Sequence, residues 1–259
     1  MKKLIVSAIV PVFNEDKTIG KIVNVLLKSP LINEVICVND GSTDKTYSIL
    51  KSFKKEIKLI NFKKNRGKGF ALSKGIENAN GELVMFVDGD LKNFYSVHIK
   101  TLLSPVTDKK YKGVMGVPLR NKRNLRNDIA VYFLDKYVTG ERVYFRKHLL
   151  PHLPRIAKTG YGVEVFLNSL FKKNQIKVVH LKGLISPSKE HKWGIQKALK
   201  SYAIAGTDIT QELGKQMVKN GLNKKINRKF VKKITKNLNK AVRKIKDFDV
   251  ERIISPYNI

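Results

Sequence analysis

Two carboxylates separated by one glycine follow an apolar segment of the sequence. Asp88 and Asp90 flank Gly89 directly after residues 83–87, which are all apolar and typical of a buried strand. Two carboxylates this close repel each other unless a cation is nearby. Mg²⁺ and Mn²⁺ prefer oxygen ligands and commonly share one or two carboxylates with a diphosphate. The spacing therefore predicts a site for a divalent metal and a diphosphate, with an ordinary polar turn as the alternative.

A second group of residues has the composition of an anion site. Residues 65–69 read Asn-Arg-Gly-Lys-Gly and precede a helical pattern, so Arg66 and Lys68 would lie beside the N–H groups of a helix start. This arrangement suits a phosphate or a carboxylate; a glycine turn with solvated cations is the alternative. The sequence has neither the G-x-x-x-x-G-K-[ST] pattern of P-loop proteins nor G-x-G-x-x-G, which argues against both kinds of nucleotide site.

The elements that must position these groups alternate between strands and helices. Apolar runs predict strands, and i, i+3, i+4 periodicity predicts helices between them. The predicted strands are residues 4–10, 35–38, 59–62, 83–87, 113–118 and 176–181, and the predicted helices are 19–27, 43 or 44 to 53, 70–79 and 163–171. The order predicts a doubly wound, mostly parallel α/β sheet, which binds ligands at the carboxyl ends of its strands. Asp40 ends one strand and is expected either to contact a base or ribose or to cap the next helix.

The composition of the chain favours an anionic partner. Its 259 residues include 52 Lys and Arg against 21 Asp and Glu, a formal charge of +31. This excess either covers a solvated surface or attracts the phosphates of nucleic acid, lipid head groups or nucleotide-linked substrates. Cys37, the single cysteine, predicts a buried thiol in a reducing compartment. The sequence contains no run of about 18 apolar residues, so it predicts no membrane span. For the apolar run near the N-terminus, a buried first strand is favoured over a signal peptide.

The charge pattern changes towards the C-terminal end. Residues 215–246 contain 13 Lys and Arg and no Asp or Glu. On a helix the apolar side chains of this region share one face and the basic ones the other. The apolar face comprises Phe230, Val231, Ile234, Leu238, Ala241, Val242, Ile245 and Phe248. This amphipathic helix is expected either to lie on an anionic membrane surface or to pack on its own domain or a partner chain.

The same patterns predict how the chain is divided. We expect an α/β domain at residues 1–206 and a basic amphipathic appendage at 207–259. Within the domain, the family resemblance given below implies a nucleotide-binding half at residues 1–95 and an acceptor-side half at residues 96–206.

Four motifs together are more specific than any one of them. Residues 10–15, 38–44, 65–69 and 86–90 resemble, in order and spacing, the family 2 glycosyltransferases, whose GT-A fold is a Rossmann-like, mixed and mostly parallel sheet flanked by helices. The resemblance implies a nucleotide-diphosphate sugar donor, UDP- or GDP-linked, with Mg²⁺ or Mn²⁺ bound by Asp90. The residues that it implies for donor binding are Pro11, Phe13, Glu15, Asp40, Arg66, Lys68, Asp88 and Gly89.

Two later segments resemble the acceptor side of the same group. Residues 139–142 and 160–164 are similar to segments of polyprenyl-phosphate glycosyltransferases and glucosyl-3-phosphoglycerate synthases. By this resemblance Glu164 is catalytic together with Asp88 and Asp90. Glu164 would deprotonate the acceptor hydroxyl in an inverting enzyme or position the substrate in a retaining one; stabilisation of a helix N-terminus is the alternative. The residues implied for acceptor binding are Arg142, Gly160, Tyr161 and Gly162.

Relatives often supply a histidine to the metal after the last strand of the fold. His180 and His191 both lie near that place in the sequence. We prefer His191 as the second metal ligand, and a surface histidine is the alternative.

Three functions follow from these patterns. The first is transfer of a hexose to a polyprenyl phosphate or glycolipid by a peripheral enzyme on the cytoplasmic face of the cell membrane. The second is a soluble enzyme that resembles glucosyl-3-phosphoglycerate synthases and uses a small anionic acceptor. The third, a nucleic-acid-binding protein, is disfavoured because the basic face lacks interleaved aromatic residues and no homeodomain, zinc-finger or RNA-recognition signature is present.

Overall fold

A mixed sheet forms the centre of the molecule. The computed structural model describes residues 4–107, 110–119 and 139–185. The predicted amphipathic appendage, the predicted boundary at residue 206 and His191 all lie outside these ranges. Within the described ranges the strands are β1 (Val6–Val12), β2 (Glu34–Asp40), β3 (Lys58–Phe62), β4 (Leu83–Phe86), β5 (Gly113–Leu119), β6 (Arg142–Phe145) and β7 (Ile176–Lys182).

The strand order in this sheet is β3-β2-β1-β4-β6-β5-β7. β1 pairs in parallel with both β2 and β4, and β2 pairs in parallel with β3. β6 is antiparallel to β4 and β5, whereas β5 and β7 are parallel. All seven residues of β1 are buried, as expected for a strand with a neighbour on each side and helices over both faces. The carboxyl ends of β1, β2 and β4 therefore meet at one edge of the sheet.

Helices follow most of the strands. They are α1 (Ile19–Leu27), α2 (Thr46–Ser52), α3 (Lys68–Asn78), α4 (Ser96–Thr107), α5 (Leu153–Ile156) and α6 (Val163–Ser169). The apolar stripe of α1, formed by Ile19, Ile22, Val23 and Leu26, is buried as its spacing predicts. Within the described residues, no helix has both the length and the apolar character needed to cross a lipid bilayer.

The strands separate two apolar layers because successive side chains point to opposite faces. In β1, Ala8 and Val10 pack in the layer that holds α1 and α4, whereas Ile9 packs in the layer that holds α3, α5 and α6. Cys37 is buried in the first layer, and burial raises the pKa of its thiol to about 12. Helices on both faces of a mixed, mostly parallel sheet confirm the predicted fold class.

One strand was not predicted. β6 lies between β4 and β5 and runs against both of them, so it carries the chain back across the sheet next to Asp88. The strand has four residues and begins with a buried arginine, Arg142, a residue type that rarely indicates a buried strand. Its position brings residues 139–142 to the edge of the sheet where the polar loops meet.

Candidate active site

The loops after β1 and β2 are joined by small polar side chains. Asn14 has a left-handed backbone, with φ of 57°, and its Oδ1 accepts from the N–H of Thr43 at 2.8 Å. The hydroxyl of Ser42 accepts from the N–H of Asn14 at 3.0 Å, and that of Thr46 accepts from the N–H of Glu15 at 2.8 Å. These bonds satisfy backbone N–H groups in the loops that follow β1 and β2. The predicted motifs at residues 10–15 and 38–44 therefore form one connected surface.

The Asp40 carboxylate shapes the turn that precedes α3. It accepts from the N–H of Arg66 at 3.0 Å and from the N–H of Gly67 at 2.7 Å. Burial raises the pKa of Asp40, while these two N–H groups act against that rise. Asp40 is 3% exposed, and its carboxylate accepts hydrogen bonds from backbone N–H groups. Its predicted contact with a base stays a prediction.

The other residues predicted for the donor site differ in their contacts and exposure. The Arg66 guanidinium carbon lies 3.6 Å from the ring centre of Phe70, which places the cation over an aromatic face. Pro11 is buried in β1 opposite Val38, whereas Phe13 and Glu15 are partly exposed beyond the end of the strand. Phe13 and Glu15 are thus placed where a ligand can reach them, and Pro11 shapes the strand beneath.

Lys68 is paired with two carboxylates from distant parts of the chain. Its Nζ lies 2.7 Å from Oδ1 of Asp88 and 2.6 Å from Oε1 of Glu164. The exposed fractions of the three side chains are 18%, 22% and 6%, respectively, so the cluster is mostly shielded from water. Burial acts to lower the pKa of Lys68, but Asp88 and Glu164 outweigh it and raise that pKa. Lys68 therefore remains charged and links the two halves of the domain.

Glycines allow the backbone segments around this cluster to approach closely. Gly67 has a φ of 95°, and a Cβ at Gly69 would overlap the Ile156 carbonyl oxygen and the Thr159 hydroxyl. Gly160 lies next to both glycines, in the turn that precedes α6. The two glycines that the sequence singled out thus place the start of α3 against residues 156–160, with Glu164 in the first turn of α6.

Asp90 occupies the turn after β4. The Thr18 hydroxyl donates to the Gly89 carbonyl oxygen at 2.7 Å, and a Cβ at Gly89 would lie 3.1 Å from Cγ2 of Val12. No group of three or more His, Cys, Asp or Glu side chains suited to a metal occurs within the described residues. The donor set fits Mg²⁺ or Mn²⁺ even so, because such ions often take one or two carboxylates and complete their shell with phosphate oxygens and water. Asp88 is paired with Lys68, and the assignment of the metal to Asp90 stays a prediction.

Of the two candidate histidines, the structure describes only His180. His180 lies on β7, opposite Val117, and is exposed. His191 lies outside the described residues, so its predicted role stays a prediction. The chain does return towards the site after β7, since Lys92 and Ile185 exchange backbone hydrogen bonds of 2.8 and 3.0 Å.

Residues 139–141 lie directly beneath Asp88. A Cβ at Gly140 would overlap the Asp88 carboxylate, so the absence of a side chain there makes room for it. Glu141 is 2% exposed, and its Oε2 lies 2.7 Å from the Thr139 hydroxyl. Burial, followed by the negative charge of Asp88, raises the pKa of Glu141 to about 8, while the Thr139 hydroxyl and Lys68 act in the opposite direction. Glu141 was not predicted as a site residue, because a glutamate beside an arginine is usually taken as exposed.

The placement of Arg142 does not support its predicted contact with the acceptor. The whole side chain is buried. Its Nε donates to the Thr139 carbonyl oxygen at 2.7 Å, and Nη1 donates to the Tyr144 hydroxyl at 3.0 Å and to Oδ1 of Asn168 at 2.6 Å. Asn168 is four residues after Glu164 on α6, so Arg142 connects the start of β6 to the helix that carries Glu164.

Gly160, Tyr161 and Gly162 form the short turn before α6, and Gly160 has a φ of 54°. The backbone of this turn lies beside the start of α3. The structure does not place a ligand against these three residues, and their predicted contacts stay predictions.

A known family accounts for this combination of fold and site. The model of glycosyl transferase family 2 matches residues 7–174, which is more than half of the chain. An uncharacterized protein of Methanocaldococcus jannaschii is 30% identical over 196 residues, which cover 66% of this chain and 84% of that protein. The dodecaprenyl-phosphate galacturonate synthase of Rhizobium johnstonii is 32% identical over 101 residues. The aligned part covers 30% or less of that protein and of two uncharacterized bacterial glycosyltransferases.

A solved structure extends the likeness to the whole described fold. Glucosyl-3-phosphoglycerate synthase of Mycobacterium tuberculosis, crystallised with Mn²⁺, uridine diphosphate and glucosyl-3-phosphoglycerate, superposes with a TM-score of 0.63 at 21% identity. The superposition covers 85% of this chain and 81% of that one, which confirms the GT-A type of fold. Because the family model matches more than half of the chain and the alignment with the Methanocaldococcus jannaschii protein covers 84% of that protein, the chain belongs to glycosyl transferase family 2.

Proposed function

We propose that this protein transfers a hexose from a nucleotide-diphosphate sugar to a lipid-linked acceptor, a polyprenyl phosphate or a glycolipid. The observation that carries the proposal is the Lys68 cluster, in which a cation at a helix start lies between Asp88 and Glu164. Such a cluster places positive charge for a diphosphate and a carboxylate for an acceptor within one crevice. The reaction would take place at the cytoplasmic face of the membrane.

The residues of the nucleotide-binding half address the leaving group. Breaking the bond between the anomeric carbon and oxygen develops negative charge on the diphosphate, and a positioned cation lowers the energy of that state. Lys68 is held by Asp88 and Glu164, and it begins α3, where free N–H groups also favour anions. Arg66, fixed over Phe70, supplies a second cation beside the same turn.

Asp90 would hold a divalent metal in this reaction. A bound Mg²⁺ or Mn²⁺ would supply positive charge to the diphosphate oxygens. The Mn²⁺ in the mycobacterial synthase structure supports this choice. We expect Asp90→Ala to abolish metal-dependent hydrolysis or transfer of the donor sugar, and Asp88→Ala to reduce it strongly because Lys68 loses one of its two partners.

The role of Glu164 depends on the acceptor. A hydroxyl acceptor must lose a proton, and Glu164, almost buried in the first turn of α6, is the carboxylate beside the crevice that could accept it. A phosphate acceptor is already ionised and needs no base. With that acceptor, Glu164 would position Lys68 and thereby the donor.

The acceptor class can be decided by extraction. The Rhizobium relative, named for dodecaprenyl phosphate, supports a lipid acceptor, and the mycobacterial complex with glucosyl-3-phosphoglycerate supports a small phosphorylated one as the second candidate. The full chain should be incubated with labelled UDP- and GDP-sugars and each acceptor class, and the products divided between butanol and water. Label in butanol indicates a lipid product, whereas label in a new water-soluble phosphosugar indicates the second candidate.

A matched set of variants tests the proposal as a whole. Asp88→Ala and Asp90→Ala should be compared with Glu56→Ala, whose carboxylate is exposed and outside the crevice. We expect Glu56→Ala to retain wild-type transfer and both crevice variants to lose it. Full metal-dependent activity in both crevice variants would show that the crevice is not the catalytic site.

The membrane part of the proposal depends on the basic segment after residue 206. Sedimentation with liposomes that contain anionic lipid should compare the intact chain with one that ends near Gly214. We expect the intact chain to sediment and the shortened chain to stay in solution, because residues 215–246 carry 13 basic and no acidic residues. Equal, negligible sedimentation of both would remove the membrane location.

A further inference from the structure

Glu141 is a buried acidic group for which the proposed reaction has no role so far. It is 2% exposed and lies within the electrostatic influence of Asp88, from the turn after β4, and of Lys68, from α3. No protein group within the described residues hydrogen-bonds its Oε1. A buried carboxylate with one oxygen left without a donor is costly, whereas a neutral carboxyl group is much less so.

The protons around Thr139 can be counted. The Thr139 Oγ1 lies 2.6 Å from the Gly116 carbonyl oxygen and 2.7 Å from Oε2 of Glu141. A hydroxyl group has a single proton, and a carbonyl oxygen can only accept. The single Thr139 proton can serve only one of these two contacts, although each contact needs a proton. The second contact then needs another proton, and Glu141 is the partner that can carry it.

We propose that Glu141 is a neutral carboxylic acid whose O–H donates to Thr139, and that its neutrality limits the negative charge beneath the donor diphosphate. In this arrangement Glu141 is a positioning residue that does not touch the substrate. Lys68, Asp88 and Glu164 already contribute one positive and two negative charges. An ionised Glu141 would add a third negative charge and would repel both Asp88 and the donor.

The neighbouring contacts show what the protonated group holds in place. The Glu141 carbonyl oxygen accepts from the N–H of Gly116 at 2.8 Å, and the Thr139 hydroxyl donates to the carbonyl of the same glycine. These bonds tie residues 139–141 to β5 and press Gly140 against the Asp88 carboxylate. Burial and the negative charge of Asp88 also raise the pKa of Glu141, which favours the neutral acid.

Infrared spectroscopy can detect the proton directly. We expect the full-length wild-type protein at about pH 6.5 to show the C=O stretching band of a buried protonated carboxyl group, and Glu141→Gln to lack it. Glu56→Gln, which changes an exposed carboxylate, should keep the band. Absence of a difference between wild type and Glu141→Gln would overturn the proposal.

Steady-state kinetics tests the role of the proton. A glutamine at 141 can donate an N–H to Thr139 without adding charge, so its donor KM at about pH 7 should stay within about threefold of wild type, whereas Glu141→Leu should raise it by about tenfold or more. From about pH 7 to 9 the donor KM of wild type should rise as Glu141 ionises, and that of Glu141→Gln should rise less. Identical alkaline profiles, or a glutamine variant as impaired as the leucine variant, would contradict the positioning role.

The kinetic part of this inference rests on the proposed function, but the infrared part needs no substrate. A band that is present in wild type and absent in Glu141→Gln supports the neutral acid even if no sugar is transferred. In that case the proposed function fails and the protonation state stands.

Discussion

The two halves of the domain hold their parts of the crevice with different kinds of bond. In the nucleotide-binding half, Asn14, Asp40 and Ser42 bond mainly to backbone groups of nearby loops. In the acceptor-side half, Glu141 and Arg142 are buried and bond to other polar side chains, namely those of Thr139, Tyr144 and Asn168. The first half therefore fixes the course of the backbone, whereas the second depends on a balance of buried charge.

This difference leads us to expect small losses of stability from single changes of polar residues in the nucleotide-binding half and larger losses in the acceptor-side half. Lys68 is the exception, because it belongs to the first half and pairs with Glu164 in the second. The predictions below test the comparison, beginning with the residue that joins the halves.

Among the changes that test this comparison, replacing Lys68 by Met should have the largest effect on activity. Asp88 and Glu164 would face each other without the cation between them, and the diphosphate would lose a positive partner. We expect kcat/KM to fall by about 10²–10³-fold and the free energy of unfolding to fall by about 2 kcal/mol. Donor-dependent turnover and urea unfolding measure the two effects.

Lys74→Met is the matched control on the same helix. Its pair with Glu77 is exposed, with side-chain exposures of 38% and 52%, so its loss should change neither activity nor stability measurably. If Lys68→Met behaved like Lys74→Met, the cluster would not be the link between the halves.

Arg142→Met should cause the largest loss of stability. The substitution leaves the Thr139 carbonyl, the Tyr144 hydroxyl and Asn168 without a buried donor, so the free energy of unfolding should fall by about 3 kcal/mol. Arg146→Met, which removes bonds to the carbonyls of Ile76 and Glu77 at a less buried place, should cost about 1 kcal/mol. Equal losses in urea unfolding would argue against a special dependence of the acceptor-side half on buried charge.

The stability of the wild type should depend on pH through Glu141. Its pKa rises from 4.5 in the unfolded chain to about 8 in the folded one, so the native state holds a proton that the unfolded state releases. Stability should therefore fall as pH rises from 4.5 to about 8, by more than about 1 kcal/mol relative to Glu141→Gln. Urea unfolding of both proteins at pH values across this window measures the difference, and parallel curves would contradict it.

Asp40→Asn should have the smallest effect. One amide group would replace an oxygen that accepts from Arg66 or Gly67, and the local turn can adjust. We expect a loss of about 1 kcal/mol and a donor KM raised by a few-fold. Glu56→Gln serves as the exposed control. A loss as large as that of Arg142→Met would remove the distinction between the two halves.

The same distinction explains what could be predicted from the sequence. The parallel strands, α1 and the loops with Asp40, Lys68 and Asp88 follow from local apolar patterns and from the rule that ligands bind at the carboxyl ends of strands. Lys68, Asp88 and Glu164 are brought together as the family resemblance implied, although the roles assigned to them stay predictions.

The acceptor-side half was less predictable because its polar residues are buried by tertiary packing. β6 has only four residues, and Arg142 is buried by bonds to Tyr144 and Asn168 that no local pattern reveals. Glu141 was missed for the same reason, since its burial depends on β5 and on the turn after β4. His98 is another buried polar residue of this kind: the Tyr95 N–H donates to its Nδ1, and its Nε2 bonds to the Lys182 carbonyl.

The absence of a side chain at Gly140 has a consequence for protein engineering. The family resemblance assigned residues 139–142 to the acceptor side, so they are natural positions to randomise when a new acceptor specificity is sought. Any side chain at residue 140 would displace the Asp88 carboxylate and, with it, Lys68. A combinatorial library should therefore keep glycine at this position, because variants there would be lost at the donor step whatever acceptor they were selected for.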